Sequence, residues 1–148
     1  MKDQRGKFKF LNEGFDLLIL SLIVICYSVL FTYLSFLRFE NFYTSNWDLG
    51  INQQLLWTTT HGYLMYESGD FVFTGVLSFL QVHSAYIAFL VAGIYYFEPS
   101  VFTLFFLQAV VLSLSSFPLY FIAKKVMAKK LIVYLIIFAF LFNFSIAK

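Results

Sequence analysis

The sequence predicts an all-α integral membrane protein of about four transmembrane helices, and three observations carry that expectation. Hydrophobic residues make up 61% of the 148 residues and charged residues 12%, against about 45–50% and about 25% in ordinary soluble domains. A soluble fold of this size has too little interior to hide so much apolar surface. The charges are also segregated: positions 17–37, 71–97, 99–123 and 131–147 carry none. Finally, these runs are continuous. Crossing a bilayer takes about 20 apolar residues in a helix, whereas barrel strands alternate apolar with polar. A soluble enzyme, a disordered tail and a secreted disulfide scaffold are excluded. The formal charge of +2 is too small to indicate a nucleic-acid partner. Cys26 is the single cysteine and forms no intrachain disulfide.

Residues 1–14 read as a short basic head carrying Lys2, Arg5, Lys7 and Lys9. Residues 15–37 are the clearest crossing. A cleavable signal peptide would have a shorter apolar core and small residues at a cleavage site, yet no alanine occurs before Ala85. Residues 38–82 form a polar loop that holds both tryptophans and nets −3 from Arg38, Glu40, Asp48, Glu67 and Asp70. Within it, 45–61 reads as a short amphipathic helix, with Ser45 and Asp48 as a capping box and Leu49, Leu55, Leu56 and Trp57 on the bilayer interface. A second crossing is expected over 83–97, where Ser84, Ala88 and Ala92 share one face. A third follows over 99–123, with Pro99 in its first turn and Pro118 as a kink. A fourth spans 130–147. The basic head and the acidic loop place the N-terminus in the cytoplasm and the loop outside, in a multi-pass protein of the cell membrane. Counting onward, the Lys124–Lys130 turn then emerges outside, against the same charge rule.

The sequence has no phosphate-binding glycine loop, dinucleotide fingerprint, zinc-protease motif or nucleophile elbow. Potential catalytic groups gather in the outer loop and just beyond it: Asp48, Asn52, Gln53, Gln54, His61, Glu67, Asp70 and His83. Asp48 also suits a helix-capping role, and His61 before Gly62 also suits a helix end. His83 stands at the mouth of a charge-free stretch, where an ionisable group marks a functional candidate. A metal site from His61, His83 and a carboxylate follows no ligand spacing, so no metal ligand is assigned.

The order Trp47-Asp48-Leu49-Gly50-Ile51, Gln54-x-x-Trp57, His61-Gly62, then Ser78-Phe79-Leu80-x-Val82-His83, Leu107-Gln108-Ala109 and Pro118-Leu119-Tyr120 resembles the N-terminal part of a family of predicted polytopic membrane proteins, domain of unknown function 2079. The resemblance covers roughly residues 40–145. That family is grouped with GT-C-type membrane glycosyltransferases. The resemblance therefore implies the N-terminal portion of a GT-C-like bundle, an acid in the first outer loop, and a polyprenyl-phosphate-linked sugar as donor. Asp48 is the matching acid. Gln53 stands where family members often carry a second acid, and the chain stops near the fourth helix, so a fragment that is inactive alone is expected.

Sugar transfer needs a base for the acceptor hydroxyl and positive charge for the departing phosphate. On this reading Asp48 is the candidate base or metal ligand and His83 a second catalytic candidate. Trp47, Gln54, Trp57, His61 and Arg38 are candidate substrate contacts. The cofactor is undetermined, a divalent cation being one source of the required charge. The expected partners are the lipid bilayer, the lipid-linked sugar and other transmembrane helices. Two other readings stay open: a non-catalytic membrane protein that binds partner helices, and a transporter fragment with Gln108, Ser115, Ser116 and Pro118 lining a path.

Overall fold

The computed structural model describes residues 2–44, 46–69, 72, 75–127 and 129–146, with side chains from residue 14 to residue 143 of these stretches except Asn46. It is all-helical: α1 (Lys2–Glu40), α2 (Asn46–Thr60), a 3-10 turn (Phe79–Gln81), α3 (Ile87–Tyr95), α4 (Val101–Leu114), α5 (Ser116–Val126) and α6 (Lys130–Ile146). Among the described residues no strand forms; Tyr66 and Ser78 make one isolated antiparallel bridge. Among the described residues two helical stretches are long and apolar enough to cross a membrane, Gly14–Glu40 and Val101–Val126. A shorter apolar helix covers Lys130–Asn143.

The chain divides into two compact units. The first comprises residues 1–32 and 106–148. Here α1 buries a stripe at four-residue spacing, Asp16, Leu20, Val24, Ser28 and Thr32, because residues i and i+4 share a helix face. The stripe contains Asp16, Ser28 and Thr32, while Leu18, Leu22, Ile25 and Val29 on other faces are more than half exposed. Polar inside and apolar outside inverts the pattern of a water-soluble helix. Leu20 and Tyr27 pack with Tyr120 and Ala123 of α5 and with Val133, Ile137 and Leu141 of α6, again a four-residue stripe. Ser28 meets Ser113 and Asp16 meets Tyr120, so numbers fall along α4 and α5 as they rise along α1: the helices are antiparallel. Asp16 meets Lys130 while Tyr27 donates to the Leu141 carbonyl, so α6 runs parallel to α1.

The third expected crossing is interrupted at Ser115, between α4 and α5. Pro118 has no N–H for the Leu114 carbonyl and its ring crowds that turn. The hydroxyls of Ser113, Ser115 and Ser116 donate to the carbonyls of Val110, Leu112 and Ser113, three residues back in each case, and such back-bonding bends helices. Ser115 and Ser116 thus bond their own helix, and it is Ser113 that reaches a neighbour.

The second unit comprises residues 33–105. Its core is Leu55 and Leu56 of α2, Met65 of the following loop, and Ala92 and Tyr95 of α3, flanked by Phe79, Leu80, Ala88, Val91 and Leu104. Phe36 and Phe39 near the end of α1 meet Phe102 and Phe105 edge-on, with ring centroids 5.9 and 6.2 Å apart. Leu55 and Leu56, expected on the bilayer interface, instead fill this core, because α3 supplies an apolar partner for them. Ala88 and Ala92 face the same core, while Ser84 precedes the helix.

The helix expected over 83–97 runs only from Ile87 to Tyr95. Nine residues rise about 14 Å, less than half of the about 30 Å hydrocarbon thickness. The preceding backbone is committed to turns: the His83 N–H bonds the Phe79 carbonyl at 2.8 Å and the Ala85 N–H bonds the His83 carbonyl at 2.9 Å. Pro99 lies outside α4. Ser100 caps that helix instead, its hydroxyl accepting the Thr103 N–H at 3.3 Å, while Thr103 Oγ1 donates to the Glu98 carbonyl at 2.8 Å.

Candidate functional site

Of the sequence-selected residues, Trp47, Asp48, Gln54, Trp57 and His61 lie on α2 and the loop that follows it. This segment is held by a closely bonded hairpin of chain. Gly62, with φ of 87°, takes the left-handed position that ends α2: the Gly62 N–H bonds the Thr59 carbonyl at 3.3 Å and the Tyr63 N–H bonds the Thr58 carbonyl at 3.0 Å, the paired bonds of a Schellman end. Thr58 Oγ1 donates to the Tyr66 carbonyl at 2.8 Å, Thr59 Oγ1 accepts the Met65 N–H at 3.2 Å, and Ser78 Oγ donates to the Leu64 carbonyl at 3.0 Å. The Phe79 N–H closes on the Met65 carbonyl at 2.9 Å. Met65 is fully buried at a φ of 46°, a strained backbone that only over-determined packing sustains.

An open pocket of about 490 Å³ lies in this unit, lined by Gly50, Gln53, Gln54, Trp57, Tyr95 and Pro99. Gly50, Gln53, Gln54 and Trp57 have the spacing of one helix face. Gln54 is held in place by Ser68, whose hydroxyl and N–H both donate to its Oε1, at 3.0 and 3.4 Å. Trp57 is stacked on His61, ring centroids 4.1 Å apart, and His61 Nδ1 lies 2.8 Å from the Trp57 carbonyl oxygen. Gln54, Trp57 and His61 are therefore neighbours.

The other selected residues that the structure describes stand apart from that pocket; Asp70 lies outside the described residues. Asp48 is exposed in the first turn of α2, and its carbonyl accepts the Asn52 side-chain amide at 2.8 Å. Two residues before Gly50, it lies about 200° around the helix from the pocket face. Ser45, its expected capping partner, lies outside the described residues. Trp47 is 60% exposed. Arg38 donates to the Tyr43 carbonyl at 3.5 Å, where α1 closes on Phe42 in the left-handed region, φ 60°. His83 is exposed and rests on Phe79, centroids 4.5 Å apart, in the turn before α3. Glu67, by contrast, is buried, and its carboxylate accepts the Gly69 N–H. Among the described residues no three His, Cys, Asp or Glu side chains converge on one point. The described side chains therefore build no metal centre by themselves.

The most complete polar constellation is one that reading the chain did not single out. Asp16, on the buried stripe of α1, receives Lys130 Nζ at 2.9 and 2.8 Å on its two oxygens, Tyr120 Oη at 3.1 Å and Tyr134 Oη at 3.4 Å. Its partners are 104 to 118 residues away. The one signal in the sequence is an acid standing alone where a long apolar run begins, a placement that calls for a partner.

The model of a family described as Predicted membrane protein (DUF2079) matches residues 38–148. No curated protein and no solved structure matches the chain.

Proposed function

Because the chain belongs to the DUF2079 family of predicted membrane proteins, we propose that it is a multi-pass protein whose extracytoplasmic segment takes part in transferring a sugar from a lipid-phosphate donor. As a membrane protein it presents its exposed apolar faces to lipid and to other helices. The observation that carries the reading of sidedness is the Asp16–Lys130 ion pair, 2.8 Å. It joins the lysine turn to the end of α1 that follows the basic head, so both basic segments share one side. The charge rule makes that side cytoplasmic. The crossings are then α1, the α4–α5 run and α6. The segment 41–100 begins and ends on the outer side, and α3 does not cross. This removes the conflict that four crossings created.

In the transfer step Asp48 takes the proton of the acceptor hydroxyl as that oxygen attacks the anomeric carbon, and the phosphate leaves with the bonding electrons. Its exposure near the end of α1 suits a donor carried in the outer leaflet. Arg38 supplies positive charge toward the phosphate. Membranes carrying a complete homologous chain, either wild type or with Asn in place of the acid that matches Asp48, given polyprenyl-phosphate-linked hexoses, test the reading. Transfer by wild type that the variant loses is expected. Equal transfer by both overturns the role of Asp48, and no transfer by wild type overturns the reading. Cysteines placed singly at Ser84, Ser100 and Met127 in a Cys26→Ser chain test the sidedness: the first two are expected to react with an impermeant maleimide from outside and the third is not.

The partner-binding reading is favoured by one observation, the many half-exposed apolar side chains on α4 to α6, such as Val111, Ile122 and Leu135. Association that survives in lipid and is lost on changing those residues supports it.

A further inference from the structure

We propose that the pocket on α2 is a seat for an uncharged, hydroxyl-rich ring, a pyranose, and that it reads the sugar itself rather than its phosphate. None of its lining residues, Gly50, Gln53, Gln54, Trp57, Tyr95 and Pro99, carries a formal charge, so nothing in it offsets the charge of an anion. What they offer instead is a flat apolar surface beside amide groups. Trp57 is 49% exposed although His61 covers one face of its indole. The covered face fixes the ring, and the open surface can take the C–H face of a sugar. Gln54 Oε1 is occupied by Ser68 from two donors. Its amide nitrogen is thereby oriented and left to donate to a ligand oxygen, while Gln53, one residue earlier, brings both a donor and an acceptor. A ring hydroxyl needs that mixture, and a few fixed polar groups in an otherwise apolar wall are what give a small-molecule site its selectivity. Gly50 leaves the helix surface without a side chain at the pocket, with nothing within 4 Å of where a Cβ would stand, so no side chain at this position fills the seat.

This inference goes beyond the transfer reading, since it requires no chemistry from Asp48, which lies on another face of α2. The chain has two tryptophans, so Trp47→Phe leaves Trp57 as the sole indole reporter. That protein, in an amine-oxide detergent without a sugar headgroup, is titrated with the methyl glycosides of glucose, mannose and galactose, with glycerol as the bulk-hydroxyl control and inorganic phosphate as the charged one. A saturable change in Trp57 emission with at least one glycoside is expected, with none from phosphate. Gln54→Ala and, as a milder surface change, Gln53→Ala are each expected to weaken it by about tenfold. The inference is overturned if no glycoside does more than glycerol, if phosphate alone produces the change, or if both glutamine variants titrate like the parent. Binding by this chain together with no transfer by the complete homologous chain would sink the transfer reading and leave this one standing.

Discussion

Lys130 Nζ lies 2.8 Å from Asp16 Oδ2, bridging 114 residues of chain. The acid is buried at 5% side-chain exposure while the lysine keeps 59%, so the pair is asymmetric: the carboxylate depends on the ammonium far more than the reverse. Lys130→Met leaves that carboxylate with two phenols as donors and is expected to destabilise the first unit by about 2 kcal/mol. Asp16→Asn still accepts bonds from Tyr120 and leaves Lys130 in solvent, so its cost is expected to be smaller. Thermal unfolding in detergent, followed by circular dichroism, measures both. Equal stability of Lys130→Met and wild type would show that the pair does not hold α1 to α6.

Ser28 Oγ and Ser113 Oγ are 2.8 Å apart and buried. Hydrogen bonds between helices in lipid average about 0.6 kcal/mol in double-mutant cycles, and each hydroxyl, with one proton to give, also has a carbonyl of its own helix within reach, here those of Val24 and Val110. Ser28→Ala, Ser113→Ala and the double variant are expected to give a coupling of that size. A coupling indistinguishable from zero would remove this bond from the account of how α1 and α4 pair.

Two left-handed residues close helices, and they should respond oppositely. Phe42 is 87% exposed with φ of 60° and Gly62 has φ of 87°. For a residue with a side chain this backbone costs about 1–2 kcal/mol. Phe42→Gly is therefore expected to raise stability by about 1 kcal/mol, and Gly62→Ala to lower it by about 1 kcal/mol. No atom stands within 4 Å of the added methyl at Gly62, so the whole effect there is conformational. Melting temperatures of both variants provide the check.

Leu55, 1% exposed in the core of the second unit, separates a helix that packs on protein from one that lies on lipid. Leu55→Ala is expected to cost about 3 kcal/mol through lost burial and the cavity left behind. It should also expose the 61–69 loop to proteolysis, because that loop rests on α2 through Met65. A cost below about 0.5 kcal/mol, the range of surface changes, would return Leu55 to the bilayer surface.

The all-helical class of the protein and the apolar stretch of α1 were readable from the chain. Each depends on local matters: run length and the absence of charge. His61-Gly62 reads as a helix end and is one. Gln54 and Trp57, selected through a family pattern, share a pocket because their spacing is one helical turn.

What the chain did not disclose was settled by partners distant in sequence. Apolarity alone made 83–97 look like a crossing, yet the turns around Phe79 and His83 shorten it to nine residues, and the core formed by Leu55 and Leu56 gives α3 a protein surface to cover. Run length measures how much surface must leave water and is silent on whether lipid or protein receives it. The pairing of Asp16 with Lys130, Tyr120 and Tyr134 was hidden for the same reason. Local patterns report which face of a helix is buried, and only the packing of α1 against α5 and α6 decides which charge meets which.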